Sequence, residues 1–471
     1  MKYDICVIGA GPGGYVAAIR AAQLGKKVAV IERAKAGGIC TSWGCIPSKT
    51  LLHAAGILSA LRHAGEFGIT MGEIKIDTDK LRAKKDRVVD RLVKGVEFLL
   101  KKNGVDWIAG QARLAGHNTI VVTGADGKST MIDAGSIIIA TGARPVELPN
   151  LKPDGETIIT YFEALEVRGV PKDFVVIGGG AIGLEMAEVY AALGSKVTVV
   201  EMMPTLLPGF DIDLCKAAAE GLKKSGVTTL TETKVASASQ GKDPPRAGWT
   251  LTLESTKGKA PSPLIADRVL VAVGLKPNSD DLGLKTAGVA CDTRGFITTD
   301  AQMRTNVANI FAIGDVTGRK LLAHKASREA HIAAEVACGH KATMDYRSVP
   351  SAVFMHPEIA TVGLSEDEAK HAGHEVAIGK FPLAALGRGV ATGAMDGFVK
   401  IITEKSTDQI LGVHIVAPTA GDMIAEAALA MEMDATAEDL ATTIHVHPTF
   451  SESLMEAAAD ARGEAVHIFK G

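Results

Sequence analysis

The chain has 471 residues, 46% of them hydrophobic, with 51 glycines and a net charge of −3 from 51 basic and 54 acidic side chains. That length exceeds one core of usual size, and the composition is that of a globular α/β protein, so about three domains are expected. A charge balance so close to neutral, with no lysine-rich run or basic stripe, argues against nucleic acid as a primary ligand, and no apolar stretch nears the roughly 20 residues of a membrane span.

Tyr3 to Ile8 reads as an apolar strand that begins too early to leave room for a signal or transit peptide. Together with the scattered Cys6, Cys215, Cys291 and Cys338, this points to a reducing, cytoplasmic setting. The strand runs into Gly9-Ala-Gly11-Pro-Gly-Gly14, then an Ala-rich helix to Leu24-Gly25, then a strand from Val28 to Ile31 that ends in Glu32. Such glycines permit a tight turn, let a pyrophosphate approach the helix N-terminus, and allow close packing of helix on strand. Glu32 lies near the separation of about 20 residues expected for a carboxylate that binds a ribose hydroxyl pair.

Two thiols follow in Gly-Gly-Ile-Cys40-Thr-Ser-Trp-Gly-Cys45-Ile-Pro-Ser-Lys49. On a regular helix their Cα atoms would stand roughly 8 to 9 Å apart, beyond the limit of about 7 Å for a disulfide. The segment is therefore expected to begin irregular and become helical near Cys45, with Gly44 as the transition. A helix starting there aims its free N–H groups and positive dipole end at the Cys45 sulfur and favours thiolate. Lys49, one turn on, adds an ammonium to the same face. Leu81 to Leu100 carries a helical apolar stripe that stops at Asn103-Gly104 and reads as core.

The strand–turn–helix–strand unit then recurs. Phe174 to Ile177 runs into Gly178-Gly-Gly180-Ala-Ile-Gly183, a helix to Leu193-Gly194, and a strand from Val197 to Val200 that ends in Glu201. Two units in full context imply two dinucleotides. Glu201 would repel a 2′-phosphate, which favours NAD over NADP. Asp243-Pro-Pro-Arg and Lys259-Ala-Pro-Ser-Pro flank an alternating stretch from Trp249 to Leu253, read as a hairpin strand between exposed loops. After about residue 346 come strands such as Phe398 to Ile402 and Gly412 to Val416, with Ala-rich helices at 421–433 and 451–461, which suggests a third domain of α+β type. His445 and His447 form a His-x-His pair, but no third ligand stands at convincing spacing and no metal is expected.

With both glycine turns and the Cys-x4-Cys run in place, the chain resembles the pyridine nucleotide disulfide oxidoreductases along its whole length, and above all those that oxidise dihydrolipoamide. Ala140-Thr141-Gly142 resembles the family's first return to the flavin domain, and Thr305 to Asp315 its second flavin motif. Leu322-Ala323-His324-Lys-Ala326 resembles the segment along the flavin's pyrimidine edge, and His447-Pro-Thr-Phe-Ser-Glu452 the C-terminal signature. The resemblance implies two Rossmann-like dinucleotide-binding domains and a C-terminal α+β dimerisation domain. Its division is 1–147 for the first part of the FAD domain, 148–276 for the NAD domain, 277–345 for the return to the FAD domain, and 346–471 for the interface. It also implies a redox disulfide of Cys40 and Cys45, an ion pair of Glu185 with Lys49, Asp315 on the ribityl chain, Ala323 and His324 beside the flavin, and Gly274 in the NAD loop. His447 would be the acid/base, oriented by Glu452 and supplied across a homodimer interface. The implied reaction oxidises free or protein-bound dihydrolipoamide and reduces NAD to NADH. The lipoyl carrier would belong to a 2-oxo acid dehydrogenase complex or to the glycine cleavage system. Relatives that reduce glutathione usually favour NADPH, and Glu201-Met-Met203 lacks the basic residues for it; relatives that reduce mercuric ion add a C-terminal cysteine pair, whereas this chain ends His-Ile-Phe-Lys-Gly. A non-catalytic scaffold would not need Cys40, Cys45, His447 and Glu452 all intact. Trp43 departs from the family's usual smaller or basic residue, and the run from Gly274 to Asn278 lacks the arginine common directly after that glycine.

Overall fold

The computed structural model describes residues 1–241 and 248–469. In it both repeats form a parallel sheet of the same strand order. Lys2–Ile8 lies between Val28–Glu32 and Ser129–Ile139, with Asp106–Ala109 and Ile310–Ala312 outside them. Asp173–Ile177 lies likewise between Lys196–Val200 and Arg268–Val271, with Thr228–Leu230 and Ile158–Ile159 outside. A first strand covered on both faces must be apolar on both sides, which is why Ile5 to Ile8 and Phe174 to Ile177 are continuous hydrophobic runs. Each strand feeds a helix, Pro12–Gln23 or Ala181–Leu193, and the second stops at Gly194 with φ of 110°.

The first sheet also carries antiparallel Gln111–Leu114 and Thr119–Thr123 at its far edge. Ala143–Pro145 pairs antiparallel with Leu275–Pro277, a two-stranded ribbon through which the chain leaves the first sheet and comes back. Trp249–Ser255 is not one arm of a simple hairpin. It is the central strand of a three-stranded antiparallel sheet between Thr233–Gln240 and Leu264–Ala266, and it buries Leu251 and Leu253 against Val175 and Val200. Of the two flanking loops, that at 259–263 is largely exposed, and that at 243–246 lies outside the described residues. The helix Thr78–Lys102 starts at Asp77, whose side chain caps Lys80 N. Its stripe is only partly core. Val89, Val93, Val96 and Leu100 are buried, whereas Leu92 and Leu99, displaced round the helix, are 40% and 46% exposed.

The C-terminal unit is a five-stranded antiparallel sheet in the order Ser351–Val353, Glu358–Gly363, Ile410–Ala417, Phe398–Glu404, Val376–Pro382, packed against Ala420–Glu432 and Glu452–Ala461. It is fastened to the second repeat by buried charge. Lys400 on the sheet donates to both oxygens of Asp211 at 3.2 and 3.1 Å and reaches Glu366 at 2.8 Å, while Asp211 also caps the helix Ile212–Lys224. Among the described residues no helix is long and apolar enough to cross a membrane.

Candidate active site

The cysteine segment is helical on both sides of one break, not irregular before Cys45 as its spacing suggests. Gly38–Trp43 and Cys45–His63 are separate helices, and Gly44 between them has φ of −141° and ψ of −109°. A Cβ on Gly44 would stand 3.1 Å from the Ile39 carbonyl oxygen and 3.3 Å from the Cys40 Cα, so a side chain there would press on the preceding helix. The break brings the two thiols, both free, into hydrogen-bond contact. That hydrogen bond, given by Cys40, together with the nearby Lys49 ammonium, holds the Cys45 thiol below its ordinary range against the opposing effect of burial. The same bond, together with burial, pushes Cys40 upward. These opposite shifts favour thiolate at Cys45 over Cys40.

Lys49 Nζ donates to both oxygens of Glu185 at 2.9 and 2.8 Å, and Glu185 is only 5% exposed. Glu185 Oε1 also accepts from Phe354 N at 3.1 Å, and the Lys49 ammonium lies 4.5 Å from the centre of the Phe354 ring. Trp43 meets Phe162 edge-on at 6.0 Å, and Phe162 stacks on Tyr161 at 4.5 Å.

Apart from Phe354, these residues border a cavity of about 510 Å³, whose walls include Gly9, Gly11, Glu32, Cys40, Cys45, Lys49, Thr141, Gly142, Glu185, Asp315 and Ala323. A second cavity of about 310 Å³ continues from it past Gly9, Glu32 and Thr141 to Gly110 and Gln111. The walls suit an extended flavin dinucleotide. An added Cβ on Gly11 or Gly142 would meet nothing within 4 Å, so the backbone is open to a ligand there. Asp315 presents a carboxylate that burial raises above its ordinary range and that accepts no side-chain hydrogen bond among the described residues. Its turn is fixed from below, where Gly314 N donates to Glu329 at 2.7 Å and Glu329 pairs with fully buried Lys325 at 3.2 Å. Glu32 accepts from Ala10 N at 2.8 Å and Ala34 N at 2.9 Å. Gly14 is not in the wall but at the helix–strand crossing, where a Cβ would stand 1.8 Å from the Gly9 oxygen. His324 is also absent from the lining; its Nε2 lies 2.8 Å from the Pro350 oxygen, while its neighbours Ala323 and Ala326 border the cavity. No sequence signal marks Arg144 or Asn278, which also line both cavities. Asn278 exchanges hydrogen bonds with Thr141 through Thr141 Oγ1 at 2.8 Å and Asn278 Nδ2 at 2.9 Å, a contact across 137 positions with no local signal.

The second glycine turn copies the first. A Cβ on Gly183 would stand 2.1 Å from the Gly178 oxygen, Gly180 and Gly274 face open space, and Glu201 accepts from Gly179 N at 2.6 Å and Met203 N at 2.7 Å. None of Gly178, Gly180, Gly183, Glu201 and Gly274 borders the large cavity, but Ala181, Ile182 and Glu185 of the following helix do. The cavity therefore lies between the two turns.

His447 Nδ1 is 2.8 Å from Glu452 Oε1, and Thr449 N donates to Glu452 Oε2 at 2.7 Å. Burial pushes the Glu452 carboxyl up, but the Thr449 N–H and the imidazole outweigh it and leave it below its ordinary range. The other histidine, His445, contacts a different carboxylate, Glu426 Oε1, at 2.7 Å. Among the described residues no group of three or more ligands suits a metal. The His447 side chain is 75% exposed, and no residue after Ala352 borders the cavity, so one chain does not bring this pair to its own thiols. Ile444 and Val446 beside it are 97% and 76% exposed.

Residues 3–330 match the pyridine nucleotide-disulphide oxidoreductase family, and residues 349–458 match the dimerisation domain of that family. The chain belongs to this family. Among relatives, it is 46% identical to the dihydrolipoyl dehydrogenase of Thermus scotoductus over 99% of both chains, and 44% identical to that of Bacillus subtilis over 100% of this chain and 98% of the other. Solved structures superpose along nearly the whole chain. LpdA from Mycobacterium tuberculosis aligns with a TM-score of 0.89 at 31% identity, covering 97% of this chain and 99% of its own. The HOCl-induced flavoprotein disulfide reductase RclA from Escherichia coli aligns with a TM-score of 0.84 at 28% identity, covering 97% and 99%.

Proposed function

We propose that this chain acts as a homodimeric flavoprotein that oxidises dihydrolipoamide to lipoamide and reduces NAD to NADH. The observation that carries the reading is the Cys45 thiolate position: a sulfur at a helix start, hydrogen-bonded by Cys40, near Lys49, in the wall between two dinucleotide turns. Full-length relatives named dihydrolipoyl dehydrogenase support the substrate.

In the oxidised protein Cys40 and Cys45 form a disulfide. One substrate thiolate attacks Cys40, the S–S bond breaks, and Cys45 leaves as the thiolate that its helix and Lys49 favour. The second substrate sulfur then displaces Cys40, which closes the lipoamide disulfide and leaves Cys40 as the thiol. His447 from a second copy of the chain takes the substrate proton at Nε2, because Glu452 occupies Nδ1. Bound FAD would supply the redox chemistry that links the dithiol to NAD, and the protein's part is to hold thiols, flavin and nicotinamide in order. Gly9, Gly11, Glu32, Thr141, Gly142, Asp315 and Ala323 would hold FAD, with Gly14 keeping the helix close on its strand. Gly178, Gly180, Gly183, Glu201 and Gly274 would hold NAD, with Glu201 opposing a 2′-phosphate. The substrate arrives on a lipoyl protein of a 2-oxo acid dehydrogenase complex or of the glycine cleavage system, in a reducing cytoplasm.

Anaerobic titration with dihydrolipoamide, followed through the flavin spectrum, tests this reading. A long-wavelength thiolate–flavin band, then NADH on addition of NAD but little with NADP, is the expected result. Bound flavin that NADH reduces and dihydrolipoamide does not would refute the substrate assignment.

A further inference from the structure

One buried carboxyl near the thiols has no part in the relay above. Glu188 lies one turn beyond Glu185 on the helix Ala181–Leu193, and both side chains are buried. Glu188 Oε2 accepts from His356 N at 2.7 Å, while Glu185 Oε1 accepts from Phe354 N. Successive carboxyls of one helix thus hold alternate N–H groups of the segment that follows Ser351–Val353. That segment carries the Phe354 ring beneath the Lys49 ammonium. The clamp therefore fixes Lys49 from two sides, through the Glu185 ion pair and through the ring.

We infer that Glu188 is a positioning residue of the dithiol centre, clamping the 354–356 segment and setting, through Glu185 and Lys49, the charge that a Cys45 thiolate meets. This rests on the thiol–flavin relay proposed above. The charged groups around it are Glu185 on its own helix, His356 and Glu358 on the clamped segment, and Lys49 from the cysteine helix, with His63 and Asp396 beyond His356. Burial first, and the like charge of Glu185 after it, push Glu188 up to about 7 despite the His356 N–H. His356 supplies no compensating cation, because burial and His63 lower its imidazole below its ordinary range. Glu188 is therefore mostly protonated below neutrality. Above it, a second negative charge would stand one turn from Glu185, which itself disfavours thiolate at Cys45, and reduction of the pair would become harder than the thiols' own protons require.

The test compares the wild-type holoprotein with Glu188→Gln and Glu188→Ala. The potential of the cysteine pair in dithiothreitol redox buffers and the thiolate–flavin band after dithionite reduction are measured from about pH 5.5 to about pH 9, either side of the carboxyl's midpoint. Glu188→Gln keeps an oxygen for His356 N–H; it should match wild type at the acid end, with a higher potential and a stronger band at the alkaline end. Glu188→Ala lacks the clamp and should differ at every pH. Superimposable wild-type and Glu188→Gln curves would overturn the inference, and Glu188→Gln decides alone if the alanine variant fails to fold. If dihydrolipoamide proves inert while dithionite still produces the band, only the substrate assignment falls. No band in wild type would overturn the relay and the inference with it.

Discussion

The two βαβ repeats share a turn, a crossing helix and a carboxylate that accepts two backbone N–H groups, yet they differ in what surrounds that carboxylate. Glu32 borders two joined cavities walled by four further segments around residues 40, 141, 278 and 315. Glu201 is buried within its own unit, where Leu207 N bonds the Gly179 oxygen at 2.9 Å and a Cβ on Gly179 would lie 2.8 Å from Leu206. One turn is embedded among distant parts of the chain, and the other is finished locally. A ligand at the first would be held by many segments and a ligand at the second by one unit, the contrast expected between a resident cofactor and an exchanging co-substrate.

The largest expected effect cuts the link between the repeats. Cys45→Ser should lower dihydrolipoamide oxidation by at least about 10⁴-fold, while flavin content and NADH-driven reduction of an artificial acceptor persist, because neither repeat is touched. His447→Ala should cost about 10³-fold in the same assay and leave NADH-driven flavin reduction intact. Gly14→Val and Gly183→Val press on equivalent crossings. The first is expected to yield protein without visible flavin absorbance, and the second coloured protein whose NAD reduction is down by about 10²-fold or more. Colourless protein from both would mean that the repeats do not act separately. A subtler pair sharpens the contrast: Glu201→Ala should raise KM for NAD about tenfold, equivalent to one hydrogen-bonded contact, whereas Glu32→Ala should keep its flavin. The smallest effect lies on the second repeat's helix. Burial pushes Glu188 up to about 7, so its ionisation costs stability as pH rises above the ordinary carboxyl range, and the melting temperature of Glu188→Gln should gain on wild type between about pH 5 and about pH 8.

Much of this was legible in the sequence because it is local. The glycine turns, the acids that end the second strands and the i to i+4 step from Cys45 to Lys49 all lie within short windows where backbone geometry dictates residue type. The helix at Gly38–Trp43 was not legible, since a disulfide's reach rules out one continuous helix but does not distinguish an irregular start from two helices with a break. Glu188, Asp211, Lys400 and Asn278 were not legible either. The contacts Asn278–Thr141, Glu188–His356 and Asp211–Lys400 span 137 to 189 positions, and a buried ion cluster such as that of Lys400 leaves no periodicity by which to find it.

With His447 supplied to the partner's thiols as proposed, two inert proteins should complement each other. In a mixed dimer of Cys45→Ser and His447→Ala chains, one half-site receives both lesions and the other receives none. Equal amounts, reassorted at random, would make about half of all dimers mixed and so recover about a quarter of native turnover. Catalysis in this chain would then be inherited by pairs of molecules rather than by single ones.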